Sequence, residues 1–466
     1  MSPVSRHRSG KQKGSARSGR SSKAARSGNP ATKAAAAAEQ KLRRLELERQ
    51  MLLAERDRLV ADFPYRQGVW LEPWYAGHAV ALLAEASGLT TAADPAALEQ
   101  ATAELVADRL LVMRDDGGGS DWEITYWLAV VAAQAADDQA LSDDAALTSW
   151  MLLHGLAAIC PPDLAAMLLQ VVDERGATAP PSPSWVPLTP RLTIEPAVRV
   201  FADRYGLRSA ILVAGHRPDG PTCTYLFDVD LCGGDSTIVR SGWYPDQDAA
   251  LTAWASGVGP SADVGQQGSS AAVDVLGELL PFAEDPNDVL LGEDDPRKRA
   301  VALLRDRRII ADLASRLAAA GTVPIDRTTE NLELAERWAA QETPRFREWC
   351  ADRGVRPAPA DVVEELLTEW AAYTPHRLVR ACSPHRVASF AAQLAEEWAD
   401  QGRLRVAWSL VEPWAEYCLE HGDLPEHLAA PVRDAARAVT REPHRVATRV
   451  VDTWKTATDE TRPLGS

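Results

Sequence analysis

The chain has 466 residues, 46% hydrophobic and 25% charged, which excludes wholesale disorder, collagen-like repeats and a disulfide-stapled mini-protein. A length prior allows about three domains. The formal charge of −16 hides a segregation: residues 1–44 hold twelve Lys or Arg against one acid, Glu39, net +11, so the remaining 422 residues carry −27. A basic arm of this kind attracts polyanions, and the acidic body repels them.

The six Cys, at 160, 223, 232, 350, 382 and 418, are too scattered for a disulfide framework and fit a reducing, cytoplasmic setting. No apolar run follows the basic start, so no secretory signal is expected. The longest apolar approach, residues 145–172, is broken by Cys160-Pro161-Pro162-Asp163. No membrane span is expected.

Taken in chain order, residues 1–31 are Ser, Gly, Arg and Lys and read as a disordered arm. Its cations, Arg6, Arg8, Lys11, Lys13, Arg17, Arg20, Lys23 and Arg26, are the candidate phosphate-binding residues for nucleic acid. Residues 32–63 read as a charged helix. Leu45, Leu52 and Leu59 recur every seven, but Arg49 and Arg56 occupy the companion seam positions. A single helix with one apolar stripe is favoured over a coiled coil.

Residues 64–176 read as a helical domain, and within it residues 72–127 form the best-defined unit. A helix from Gly77 to Ala86, a turn at Leu89-Thr90-Thr91 and a second helix from about Pro95 to Arg109 are expected. A strand at Leu110-Leu111-Val112-Met113-Arg114, a turn at 116–120 and a returning strand at Trp122-Glu123-Ile124-Thr125 follow. This order, with Leu83-Ala84-Glu85-Ala86-Ser87-Gly88-Leu89-Thr90 at its turn, resembles a winged helix-turn-helix. The resemblance implies a second helix in the major groove of DNA. The unit nevertheless carries ten acids against Arg109 and Arg114, and its second helix shows Glu99, Glu104 and Asp108. Gln100 and Thr102 are its only candidate base readers. Phosphate repulsion makes protein docking the favoured use of the shape. Beyond it, Trp150, Met151, Leu152 and Leu153 read as core.

A Pro-rich linker, residues 177–191, precedes a small α+β domain at 192–257: a helix over 195–205, strands over 209–214, 223–231 and 237–243, and a helix over 246–256. The α-β-β-β-α order resembles a double-stranded-RNA-binding domain. That resemblance implies a Lys pair at the start of the last helix, where this chain has Pro245-Asp246-Gln247-Asp248. Residues 258–296 read as a Gly/Ser-rich, then acidic linker, 297–458 as a helical domain and 459–466 as a tail. Thr343-Pro344, Thr374-Pro375 and Ser383-Pro384 read as capped helix starts. Pro-His-Arg recurs after Thr374, Ser383 and Glu442. A reused helix start is favoured over the alternative, in which His376, His385 and Arg386 gather around an anion.

Two constellations could carry metal chemistry. Cys382-x-x-His385 with Cys418-x-x-His421 offers four N and S ligands for zinc, against the reading of two buried thiols and two helix-end histidines. Asp228 and Asp230 share one face of a strand and, with Asp235 in the next turn, form the acidic candidate that could bind magnesium, against an ordinary strand end. No P-loop, Gly-x-Gly-x-x-Gly, Gly-x-Ser-x-Gly or His-Glu-x-x-His motif occurs, so no nucleotide site is expected. Seven of the fifteen Trp lie in the C-terminal helical part and read as core or as a partner groove.

The expectation is a mainly α multi-domain protein with a winged helix-turn-helix-like N-terminal unit, a small α-β-β-β-α domain in the middle and a helical C-terminal domain. Its expected role is that of a non-enzymatic intracellular adaptor that docks a protein and associates with nucleic acid through its arm. The alternative is a metal-binding protein or enzyme using Cys382/His385/Cys418/His421 or Asp228/Asp230.

Overall fold

Hydrophobic residues repeat at helical spacing through most of the chain, while short β-branched and apolar runs such as Ala210-Ile211-Leu212-Val213 lie between Ile194 and Ile238, and the fold follows that division. The computed structural model describes residues 73–115, 142–176, 179–218, 220–232, 237–263, 267–268, 279, 296–319, 328–372, 378–398, 401–443 and 445. The fold is mainly helical, built around a small antiparallel sheet.

Helix α1 (Pro73–Glu85) runs into a 3-10 turn at Ala86–Thr91, and α2 (Pro95–Asp115) follows. The expected strand at Leu110–Arg114 is instead the last part of α2. Leu, Met and Arg are good helix formers and no breaker intervenes before Gly117, so the helix simply continues. The expected turn at 116–120 and strand at 122–125 lie outside the described residues. Next, α3 (Asp143–Ile159) starts at Ser142, whose hydroxyl accepts from Ala145 N–H, with Asp143 and Asp144 at the positive end of the helix dipole. After α4 (Pro162–Arg175), the Pro-rich segment makes a 3-10 turn at Val186–Leu188 with Val186 buried.

The sheet contains β1 (Thr193–Ala202), β2 (Arg208–His216), β3 (Cys223–Asp230) and β4 (Thr237–Tyr244), and α5 (Gln247–Val258) closes the unit. The helix expected over 195–205 is strand β1. Glu195-Pro196 imitates a helix start. Thr193, Ile194, Val198 and Val200 are β-branched, and the ladder is irregular between Ile194 and Val198, where Pro196 has no N–H to give. A fifth strand, Gln267–Gly268, within the expected linker, pairs with Val200 and Phe201 to give the order β4-β3-β2-β1-β5. The β1–β2 turn needs Gly206, whose φ of 72° lies in the left-handed region.

Alternation sends the two faces of the sheet to different cores. Tyr225, Phe227 and Val229 join Ile309, Ile310 and Leu313 of α6 (Pro296–Ala319). Leu226 joins Ala250, Leu251 and Trp254 of α5. Helix α6 also packs against α2 and α3, tying the sheet to the N-terminal helices.

Helices α7 (Thr328–Asp352), α8 (Ala360–Ala372), α9 (Pro384–Glu397), α10 (Gln401–Glu420) and α11 (Glu426–Arg441) enclose a separate aromatic core. Trp338, Trp370, Trp398, Trp408 and Trp414 are all buried there, so they serve as core. Ser383-Pro384 is a capped start as expected, with the Ser383 hydroxyl accepting from Arg386 N–H at 3.0 Å. Thr343-Pro344 is not a start, because it lies inside α7. Among the described residues, no helix is long and apolar enough to cross a membrane.

Candidate functional site

The cluster that best combines metal-ligating chemistry lies where β3 ends against the first turn of α9. Strand alternation puts Asp228 and Asp230 on one face, as expected, yet their surroundings differ. Asp228 is fully buried. Arg208 donates to both its oxygens, Nε to Oδ1 at 2.9 Å and Nη2 to Oδ2 at 3.0 Å, and Arg240 donates to Oδ2 at 3.3 Å. Arg240 stands opposite Asp228 across the β3–β4 ladder, and Arg208 reaches it diagonally from β2. Arg240 also donates to the Ala253 carbonyl on α5 at 2.8 Å. With both oxygens held by guanidinium groups, Asp228 is a structural counterion and not half of a carboxylate pair for magnesium.

Asp230 faces a different set. Its Oδ1 accepts from Cys232 N–H at 2.7 Å, and its Oδ2 lies 3.1 Å from Nδ1 of His385. Cys232 Sγ lies 3.2 Å from the Ser383 hydroxyl, which is 151 residues away in sequence. Ligand atoms of Asp230, Cys232 and His385 all fall within 4.8 Å of one another. Asp230 and Cys232 are buried, while the His385 side chain is 42% exposed. Burial alone would raise the Asp230 carboxyl, but His385 and then Arg208 override it and hold it at about 2. Burial, then the Asp230 charge, pushes the Cys232 thiol well up, so in the free protein it is an S–H and not a nucleophilic thiolate.

The expected tetrad of Cys382, His385, Cys418 and His421 does not gather. Among the described residues, the group of three or more ligands is Asp230, Cys232 and His385. Cys382 and Cys418 are buried thiols, Cys382 pushed up to about 12 by burial. His421 Nδ1 lies 2.7 Å from its own helix carbonyl at Tyr417. The local spacing paired each Cys with the His three residues on, but His385, at the start of α9, meets the sheet instead.

The anion-binding reading of His376, His385 and Arg386 also gives way. His376 lies outside the described residues. Arg386 is fully buried and spends its guanidinium on carbonyls: Leu378 and Ala381 from Nη1 at 2.8 and 2.7 Å, and Trp370 from Nη2 at 2.7 Å. Trp370 belongs to the last turn of α8, whose carbonyls lack helical partners and carry the negative end of the dipole. The guanidinium also lies 4.0 Å above the Trp370 ring. Burial lowers this group to about 10, still charged at neutral pH.

Helix α2 is turned inward. Of the two candidate base readers, Thr102 is fully buried and Gln100 bonds Arg305 and Glu104. Glu99, also buried, pairs with Arg217 and accepts from Trp243 Nε1 at 3.3 Å. Of the residues that would have to meet DNA bases, Gln100 is therefore committed to α6 and Thr102 to packing against Gly155 of α3.

Sequence reasoning missed Asp306. From α6 it accepts from Tyr225 Oη at 2.6 Å and from the Ser241 hydroxyl at 2.9 Å. Burial lifts it to about 7 against the pull of those two bonds. A heptad-like glance at α6 shows one acid among many charges; only the sheet beneath it reveals its burial. The eight arm cations, Arg6 to Arg26, and Asp235 lie outside the described residues.

Compared with protein families, curated proteins and solved structures, the chain shows no match to any of them.

Proposed function

We propose that this protein is a non-enzymatic intracellular adaptor whose basic arm holds nucleic-acid phosphates and whose acidic body docks a protein. The single observation that carries this reading is the charge segregation, net +11 in residues 1–44 against −27 in the rest. Counterion release by clustered Lys and Arg gives salt-sensitive binding without sequence preference. The body's cations support the same division, because many of them are already matched: Arg208 and Arg240 to Asp228, Arg217 to Glu99, Arg297 to Asp108 and Arg380 to Glu342. The helix-turn-helix of α1 and α2 fits a packing or docking module in this scheme, since its candidate readers face inward. The six free Cys suit a reducing compartment.

The experiment is a gel-shift titration of generic duplex DNA and RNA. It compares the full chain with a variant carrying Gln at Arg6, Arg8, Lys11, Lys13, Arg17, Arg20, Lys23 and Arg26. Loss of binding in the variant supports the arm as the phosphate clamp. Equal binding by both proteins removes the arm from the function.

A further inference from the structure

We propose that Asp230, Cys232 and His385 form a binding site for one zinc-class divalent transition ion, which fastens the C-terminal helices to the end of the sheet. The donor set is one carboxylate oxygen, one sulfur and one imidazole nitrogen, the combination that suits zinc and its neighbours rather than magnesium or calcium. The three donor atoms already lie within 4.8 Å of one another, so a shared ion needs only small side-chain rotations. They come from two distant elements, the end of β3 and the first turn of α9. Both are anchored independently, Asp230 by its bond to Cys232 N–H and α9 by the Ser383 cap.

Binding replaces a weaker arrangement with a stronger one. In the free protein, Asp230 and His385 hold each other and Cys232 keeps its proton beside Ser383. On binding, the Cys232 S–H bond breaks heterolytically. The proton leaves to water and the sulfur electron pair forms the metal bond. Asp230 and an imidazole nitrogen of His385 supply two further pairs. The thiolate and the carboxylate are then neutralised by the dication, which removes the cost of burying two anions side by side. The exposed edge of His385 gives solvent access for the ion and for a water as fourth ligand. Three protein ligands and an open position are the arrangement that polarises water in catalytic zinc sites.

The test uses the full-length protein, freed of metal by chelation and titrated with Co2+, whose thiolate complexes absorb in the near ultraviolet and whose tetrahedral complexes absorb strongly in the visible. One Co2+ per chain with a thiolate charge-transfer band is expected, displaced by Zn2+. The band is expected to vanish in Cys232→Ser, to weaken at least tenfold in apparent affinity in His385→Gln, and to persist in Cys418→Ser and Cys382→Ser. Because His385 is partly exposed, His385→Gln keeps the fold, and an unchanged circular dichroism spectrum verifies this. Absence of a thiolate band in the wild type overturns the site. So does a band that survives both Cys232→Ser and His385→Gln, which would place the metal elsewhere.

Discussion

The arm and the body handle positive charge in opposite ways. Residues 1–44 have twelve cations in sequence and a single acid, Glu39, among them. In the described body, several cations are committed to internal partners. Arg208 and Arg240 hold Asp228, Arg386 ties off three carbonyls, and Arg380 sits 2.8 Å from a buried Glu342. The difference teaches that a count of Arg does not measure affinity for polyanions. A guanidinium bonded on two or three sides must break those bonds to meet a phosphate, whereas one with no carboxylate nearby releases counterions at no structural cost.

That contrast can be broken by freeing a body cation. Asp228→Ala leaves Arg208 and Arg240 half-buried without their shared partner. Loss of one member of a buried pair is expected to cost about 3 kcal/mol, read from the denaturant midpoint. The variant is expected to gain no DNA binding. A gain would mean that the body's cations are a latent nucleic-acid surface held shut by carboxylates.

Replacing Arg386 by Leu tests the same idea where no carboxylate is involved. Three carbonyls lose their donor and the Trp370 ring loses its cation, for an expected destabilisation of about 2–3 kcal/mol. Arg386→Lys is expected to fall between, since one ammonium lacks the planar fork that reaches carbonyls on two sides.

The smallest effect sharpens the account of the body's negative charge. Asp306, held near 7 by burial, is partly neutral at physiological pH although the formal count treats it as charged. Its folded value lies above the ordinary carboxylate value, so the native state binds the extra proton. Stability is therefore highest at low pH for this group, falls as pH rises from about 4 toward 7, and levels off above. Asp306→Asn removes that titration. It is expected to be less stable than the wild type near pH 5 and to draw level or exceed it by pH 8, with a difference between the two conditions of about 2.5 kcal/mol, from the two pH units between 5 and 7. Parallel stability curves for the two proteins would contradict the assignment.

Much of the architecture was legible in local patterns. The β-rich runs at Ser209–Ala214 and Thr237–Trp243 are strands, the helix expected over 246–256 is α5, and the Ser383-Pro384 cap starts α9. The two exchanged elements show where local reading ends. Leu110-Leu111-Val112-Met113 suits either state, and the helix that starts at Pro95 runs on through it. Glu195-Pro196 is a good helix start that the ladder with β2 overrides, the irregularity between Ile194 and Val198 absorbing the proline. Two members of the candidate site, Asp230 and His385, were legible as residues but not as a set, and Cys232 was read only as one of six scattered thiols. Asp230 was grouped with Asp228 by strand spacing and His385 with Cys382 by helix spacing. Their meeting depends on α9 docking against the end of β3, a tertiary contact with no local signature.

The most direct test of the division between arm and body is the salt dependence of binding to generic duplex DNA, for the full chain and for a chain beginning at Leu45. Eight engaged cations give an expected slope of log Kobs against log salt of about −7 for the full chain, with no measurable binding by the shortened one. Equal affinity and equal slope for the two chains would contradict the account, because the body's paired cations would then be carrying the phosphate contacts.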